Sequence, residues 1–536
     1  MNARQYLTKI SREAIIKLYP EWITQNSSKE LKGVPILKPK EKSFGDYSIG
    51  IAMQIAKERK QNPEQVAEDL KEALSKDDEF FDYFDLAQVV APGFINFYLS
   101  KQYLWKIGQE VLRRGSHFGN LNIGEKQKIQ VEFVSANPTG PLTIGNGRGG
   151  PYGDVLANIF QKAGYQVRKA YYINDYGNQI LALGHSVLKD NEAKYTGEYI
   201  DKLHQELSYY NGDAYKIGKR AAKIILEKSI KPTLKKLNIQ FDEWFSETTL
   251  YKTKEVDKTI ALLKQKGFLY EKDGATWFKS TEFGDERDRV IIKSDGTKTY
   301  LAGDIAYHYY KFKKQKFNKV IDIWGADHFG DVPGLRAGVE ALGYQGKLEI
   351  ILLQFVTIMK DGKPMKMSKR LGTAITLDDL LDELPADVIR FFFLEKSSDT
   401  HLNFDMNLAK EQSEKNPVYY IQYAYARINS LLSKNNGKLK NAKELSPLTK
   451  SKELDLLKQI SYFPEIIEDI AKDKQVQHLT QYVLDLAATF HIFYNDCYVL
   501  VDDEPLRQAR LSLVKATQIV LKNTLDILGI SAPKKM

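Results

Sequence analysis

The chain has 536 residues, and 78 Lys plus Arg against 69 Asp plus Glu give it a formal net charge of +9. At roughly 100–200 residues per domain that length implies about three to five domains, and a composition of 27% charged and 43% hydrophobic residues excludes an intrinsically disordered chain. A single cysteine, Cys497, excludes a disulfide framework and a cysteine-rich zinc site and fits a reducing, cytoplasmic setting, while the basic excess admits a polyanionic partner without demanding one.

No apolar run approaches the roughly 20 residues of a membrane span, so no membrane partner is expected. Residues 1–19 set Tyr6, Leu7, Ile10, Ala14, Ile15 and Leu18 among Arg4, Lys9, Arg12 and Lys17. A transit peptide has this look, but Glu13 and Glu21 favour an amphipathic helix opening a folded domain. No signal peptide is expected. The first block, about residues 1–100, should contain a helix starting at Asn62-Pro63 and running through Val66, Leu70 and Leu74. It should close on a strand that places Phe94 and Asn96 on one face.

The second block, about 125–410, alternates strands with helices and predicts a parallel, doubly wound sheet. Strands are expected at 128–134, 166–173, 319–324 and 349–358, with a helix through Val155, Leu156, Ile159 and Phe160 after the first. The lysine-rich stretch 195–280 reads as a mostly helical insertion between the halves of the sheet. The third block, 411–536, is helical by periodicity. Leu511, Val514, Leu521, Leu525 and Leu528 mark one face of its last helix, and Asn435-Asn436-Gly437-Lys438 reads as an exposed loop. The fold class is therefore α/β at the centre, α+β at the amino end and all-α at the carboxyl end.

The chemistry concentrates after the first central strand, in a Pro/Gly-rich turn whose glycines open a helix between Gly145 and Gly150. Such a turn brings backbone close to a nucleotide, and a helix start favours phosphate. Gly145, Gly147 and Gly150 satisfy G-x-G-x-x-G, and Arg168-Lys169 would suit the 2′-phosphate of NADP. That dinucleotide fingerprint should begin where the strand ends, and here residues 135–143 intervene. A second basic string, Lys366-Met367-Ser368-Lys369-Arg370, lies 220 residues beyond Asn146. Two lysines on one loop can neutralise a triphosphate as its charge moves onto pyrophosphate.

Together Thr143-Ile-Gly145-Asn146 and Lys366-Met367-Ser368-Lys369 resemble the two signatures of class I aminoacyl-tRNA synthetases, with Thr143 and Asn146 where histidines are usual. Longer strings narrow the resemblance to arginyl-tRNA synthetases along nearly the whole chain. They are Ala91–Phe97, Tyr171–Gln179, Thr299–His308, Trp324–His328, Asn416–Ala424 and the ending Ser531–Met536. The resemblance implies a Rossmann-like class I catalytic domain between an added amino-terminal domain and a helical anticodon-binding domain. It implies arginine activation with ATP and Mg²⁺ and transfer of arginine to its tRNA by a monomer.

Carried over by position, Glu132, Asn137, Tyr300 and Asp304 would hold arginine, a planar cation with five donors that carboxylates can grip in pairs. Asn137, Thr139, Gly140, Gly145, Asn146, Met367 and Ser368 would hold ATP, with Thr143, Asn146, Lys366 and Lys369 serving catalysis. Phe94 and Asn96 would contact tRNA, an aromatic beside an amide being a sensible reader of an unpaired base. No protein-held metal is implied. A paralogue that binds tRNA or nucleotide without charging would carry the same strings.

Overall fold

The computed structural model describes residues 1–22, 34–365, 375–434 and 444–536. The second signature, with Lys366, Met367, Ser368 and Lys369, and the expected loop at 435–438 lie outside the described residues.

The amino-terminal helix Ala3–Leu18 buries Tyr6, Leu7, Ile10, Ala14 and Ile15, and Asn2 caps it by accepting from the Gln5 amide. It therefore opens a folded unit. Asn62 caps the helix Pro63–Ser75, whose buried face is Val66, Ala67, Leu70 and Leu74. These helices pack with a four-stranded antiparallel sheet of β1 (Ile36–Leu37), β2 (Tyr47–Ile49), β3 (Phe84–Val90) and β4 (Phe94–Leu99), in the order β1-β2-β4-β3.

At the centre stands a five-stranded parallel sheet. Its strands are β5 (Lys128–Glu132), β6 (Gln166–Ile173), β7 (Glu243–Ser246), then, after the antiparallel trio β8 (Leu269–Lys272), β9 (Ala275–Phe278) and β10 (Arg289–Ile292), β11 (Lys319–Gly325) and β12 (Leu348–Leu353). The order β12-β11-β5-β6-β7 puts the first strand in the middle, so the chain winds outward both ways and the sheet parts beyond the carboxyl ends of β5 and β11. Ligands of open α/β sheets bind at that switch point.

Two expectations need correction. The single strand at 349–358 is two: the chain leaves the sheet at Gln354, whose N–H is taken by the Ser398 carbonyl, and resumes as β13 (Val356–Lys360) beside β14 (Lys363–Pro364) and β15 (Leu402–Asp405). The stretch 195–280 is largely helical but is no clean insertion, because β7 forms the sheet's edge against β6 and β8–β9 belong to the small antiparallel sheet. Polar, lysine-rich flanks masked these short strands.

From Pro417 on, the described residues form helices only, ending in Glu504–Leu528, which buries Leu511, Val514, Leu521, Leu525 and Leu528. The blocks are docked by polar side chains. Arg4 donates to Asp469 at 2.7 Å and Tyr47 to the buried Glu465 at 2.6 Å, joining the two ends of the chain. Asn416 donates to the Ala409 and Glu411 carbonyls, fixing the entry to the last block.

Candidate active site

The cleft at the switch point has a volume of about 820 Å³. Its walls come from the end of β5 and the turn after it (Glu132, Ser135, Asn137), the signature turn (Thr143, Gly145, Asn146), the helix Tyr300–Lys313 (Tyr300, Asp304, Tyr307, His308) and β11 with its exit (Asp322, Trp324, His328). Val134 and Ser135 adopt positive φ values of 68° and 38°, a costly turn for a β-branched residue that swings the chain off β5 into the cleft.

The signature turn is held by its own substitutions. The Asn146 carboxamide oxygen accepts from the Thr143 hydroxyl at 2.9 Å and from the Thr143 amide at 3.3 Å, a reciprocal cap at the start of the short helix Ile144–Gly147. The amide nitrogen of Asn146 is the group left to donate to a ligand. Pro151 falls in the first turn of the next helix, Gly149–Lys162, where its missing N–H costs little. Arg148 does not face a phosphate: it is buried and donates to the carbonyls of Gln354, Thr400, Lys396 and Ser397, between 2.7 and 3.0 Å away.

The segment following the second signature is stitched to the first. Ile144 N–H donates to the Ile375 carbonyl at 3.1 Å, Leu377 N–H to the Leu142 carbonyl at 2.9 Å, and Thr143 bridges Thr376. The fold thus returns the chain to the nucleotide turn directly after the lysine string.

The arginine candidates do gather. Asp304 and Tyr300 lie one helical turn apart on the wall of the cleft that Glu132 and Asn137 also line. Burial pushes Asp304 up to about 6, with His308 opposing and the carboxylates of Glu132, Asp322 and Asp331 adding to the rise. Glu132 is not solely a ligand candidate. One of its oxygens pairs with the fully buried Lys311 ammonium at 2.9 Å and the other accepts from the Ser135 hydroxyl at 3.1 Å.

The remaining candidates fare differently. Thr139 and Gly140 sit against Tyr199, whose hydroxyl donates to the Thr139 carbonyl at 3.0 Å, and are not among the residues lining the cleft. In the amino-terminal sheet Phe94 is half-buried, near Gly50, whereas Asn96 is only 3% exposed, paired in register with Ser48 and Gln88. Alternation along β4 puts both on one face, and that face is covered at Asn96.

Several groups escaped the sequence reading. Asn174 and Gln179 line the cleft, and their side-chain oxygens are buried without a hydrogen-bond partner among the described residues. Both stand in the string Tyr171–Gln179, which was legible as a unit but not residue by residue. Glu247, at the end of β7, is buried beside Gly303 and pushed up to about 8 by burial and by the Asp304 and Asp175 carboxylates. Nothing local distinguishes it from a surface glutamate.

A nucleotide turn after a central first strand, tied to the chain that follows a Lys-Met-Ser-Lys string, defines a class I aminoacyl-tRNA synthetase catalytic domain. Three family profiles match in chain order: the arginyl tRNA synthetase N terminal domain over residues 5–99, the class I (R) tRNA synthetase catalytic domain over 108–210 and 198–429, and the DALR anticodon binding domain over 421–536. The chain is 45% identical to the arginine–tRNA ligase of Bacillus licheniformis, with 95% of each chain covered. A putative arginyl-tRNA synthetase structure from Campylobacter jejuni superposes with a TM-score of 0.75 at 35% identity, covering 82% of this chain and all of that one. The Thermus thermophilus arginyl-tRNA synthetase shares the fold over 99% of this chain and 100% of its own, with a TM-score of 0.81 at 23% identity. The chain belongs to the arginyl-tRNA synthetase family, class I enzymes that ligate arginine to tRNA. The NADP reading of the glycine turn falls with that result.

Proposed function

We propose that the cleft activates arginine with ATP and passes the arginyl group to the 3′ end of its tRNA, with substitutions Thr143 and Asn146 compatible with turnover. The observation that carries this reading is Asp304, a carboxylate on the cleft wall for which the described residues supply no ion pair, set beside Tyr300 and facing the nucleotide turn. A guanidinium fits between Asp304, the Tyr300 phenol and Glu132, while the Asn137 amide reaches the backbone end of the substrate. Lysine lacks the planar fork that such a set of acceptors selects.

ATP lies along Thr143–Asn146, where Asn146 donates a neutral hydrogen bond in place of a histidine. An oxygen of the arginine carboxylate attacks the α-phosphorus, the bond to the bridging oxygen breaks, and pyrophosphate leaves. Lys366 and Lys369 neutralise that leaving group. A ribose hydroxyl of the terminal adenosine of the tRNA then attacks the arginyl carbonyl, and AMP departs. Mg²⁺ is expected to accompany the phosphates of ATP. The +9 charge and Phe94 support tRNA contact outside the cleft, with affinity that falls as salt rises.

Arginine-dependent ATP–pyrophosphate exchange, measured with and without tRNA, tests the reading. Exchange is expected in at least one condition. Tight tRNA binding with no exchange in either would replace this reading with a non-charging paralogue. Asn146→Ala removes the neutral hydrogen bond to ATP, worth about 0.5–1.5 kcal/mol, and with it the cap on Thr143, so kcat/KM for ATP should fall at least about 2- to 10-fold. An unchanged value would remove Asn146 from the ATP site.

A further inference from the structure

Behind the cleft wall lies a buried ionic array that substrate chemistry alone does not require. Glu132 ends β5, and Asp322 stands directly beside it on β11, so the parallel register aims both carboxylates at the same helix. They are 6% and 1% exposed. Two adjacent buried carboxylates cannot both stay ionised without a cation between them. That cation is Lys311, from the helix Tyr300–Lys313, with no exposed surface and its ammonium 2.9 Å from Glu132 and 3.1 Å from Asp322.

His308 completes the array. Its Nε2 is 2.6 Å from the other oxygen of Asp322, and its Nδ1 is 2.7 Å from the Asp304 carbonyl oxygen. The ring thus ties the Asp322 carboxylate to the backbone of the helix that carries Asp304. Three carboxylates, Glu132, Asp304 and Asp322, thus stand at this wall with one buried ammonium, Lys311, paired to two of them, and the wall stays acidic toward the cleft.

We propose that Lys311 is a positioning residue for arginine: it bridges Glu132 and Asp322 side by side and fixes the Glu132 carboxylate at the inner wall of an acidic site that the substrate guanidinium fills. The inference rests on the reading of the cleft as an arginine site and adds a residue that touches no substrate. Lys311 acts through Glu132, whose oxygen it fixes at the inner wall. Without it the two carboxylates share a proton, and Glu132 no longer presents a fixed charge to the ligand. The face of the Tyr307 ring, whose centroid is 4.3 Å from the ammonium, gives it a further contact.

The test is steady-state pyrophosphate exchange on the full chain with Lys311→Met, Lys311→Arg and the double variant Lys311→Met/Asp322→Asn. Lys311→Met should raise the KM for arginine at least tenfold and leave the KM for ATP within twofold. Lys311→Arg should restore part of the loss. The double variant removes one cation and one carboxylate together, so the local balance of charge returns to that of the parent and the KM for arginine should fall back toward the parent value. A purely structural lysine would lower the active fraction, hence kcat, and leave both KM values alone. An arginine KM unchanged in Lys311→Met, or a double variant no better than the single, overturns the proposal. If Lys311→Met fails to fold, the double variant and Lys311→Arg decide by the same ratio of KM values. Absence of arginine-dependent exchange in the parent enzyme would instead strike the reading of the cleft itself.

Discussion

Asp304→Asn should reduce kcat/KM for arginine about 10- to 150-fold while leaving the KM for ATP unchanged. A hydrogen bond to a charged partner contributes about 1.5–3 kcal/mol, and the loss here is one made to a desolvated guanidinium. Asparagine keeps the size and one acceptor but loses the charge and presents an N–H toward the cation. Asp304 stands in no ion pair among the described residues, so its removal does not orphan a buried cation and the loss is read at the substrate. The same carboxylate sets a pH dependence. Held up to about 6 in the free enzyme, chiefly by burial, it must be ionised to take arginine. The guanidinium stays charged throughout, so kcat/KM for arginine should fall as pH drops through about 6 and level off above it. Bound arginine stabilises the ionised form, so the corresponding limb in kcat should lie at lower pH. In Asp304→Asn the limb near pH 6 should vanish, and its persistence would reassign it to another group.

How much of this site could be read beforehand depends on where each residue's signal lies. Tyr300 and Asp304 sit four apart on a helix, so one string placed both. Asn137, Thr143 and Asn146 were found because the turn that holds them is itself a local motif. Lys311 was not, since it stands before Lys313, Lys314 and Lys316 and looks like the basic end of a solvated helix. Lysine is almost never buried unless paired, and its partners Glu132 and Asp322 come from distant strands. Only the strand order brings them together. Asp322 likewise reads as a lone polar residue within a mostly apolar strand, and nothing in 319–324 announces that this strand lies next to the first. The split of 349–358 into β12 and β13 has the same cause. Only Gln354 interrupts its apolar run, too weak a break to end a strand by pattern alone, and what turns the chain there is the Ser398 carbonyl and the Arg148 guanidinium, both brought by tertiary structure. Asn96 shows the converse: alternation along β4 correctly paired it with Phe94, but burial by neighbouring strands is invisible to alternation.

The largest expected effect on stability comes from Arg390. It has no exposed surface, and it is the knot between three separate parts of the chain. Its Nε donates to the Leu528 carbonyl at the end of the last helix at 2.8 Å, one terminal nitrogen to the Leu237 carbonyl at 2.8 Å, and the other to the Asp154 carboxylate at 2.6 Å, in the helix that follows the nucleotide turn. Gly529 is required beside it: with φ at 68°, any Cβ there would stand 2.2 Å from the guanidinium. Arg390→Met fills most of the volume but leaves two buried carbonyls unpaired and removes one of the two cations on Asp154, the other being Lys169 at 2.6 Å. Breaking such a buried pair costs about 3–5 kcal/mol. Because Lys169 remains, Asp154 keeps a charge partner, and the carbonyls carry much of the loss. The disturbance should therefore be local before it is global. Amide exchange at Ile530, whose N–H donates to the Leu525 carbonyl, and at Ile239, whose N–H donates to the Leu234 carbonyl, should speed up well below the unfolding midpoint, and the midpoint itself should drop by several degrees. Arg390→Lys retains the charge and cannot reach three acceptors at once, so it should recover only part of the loss. Unchanged protection at both amides in Arg390→Met would show that apolar packing of the last helix, and not the guanidinium, holds the carboxyl-terminal block to the catalytic sheet.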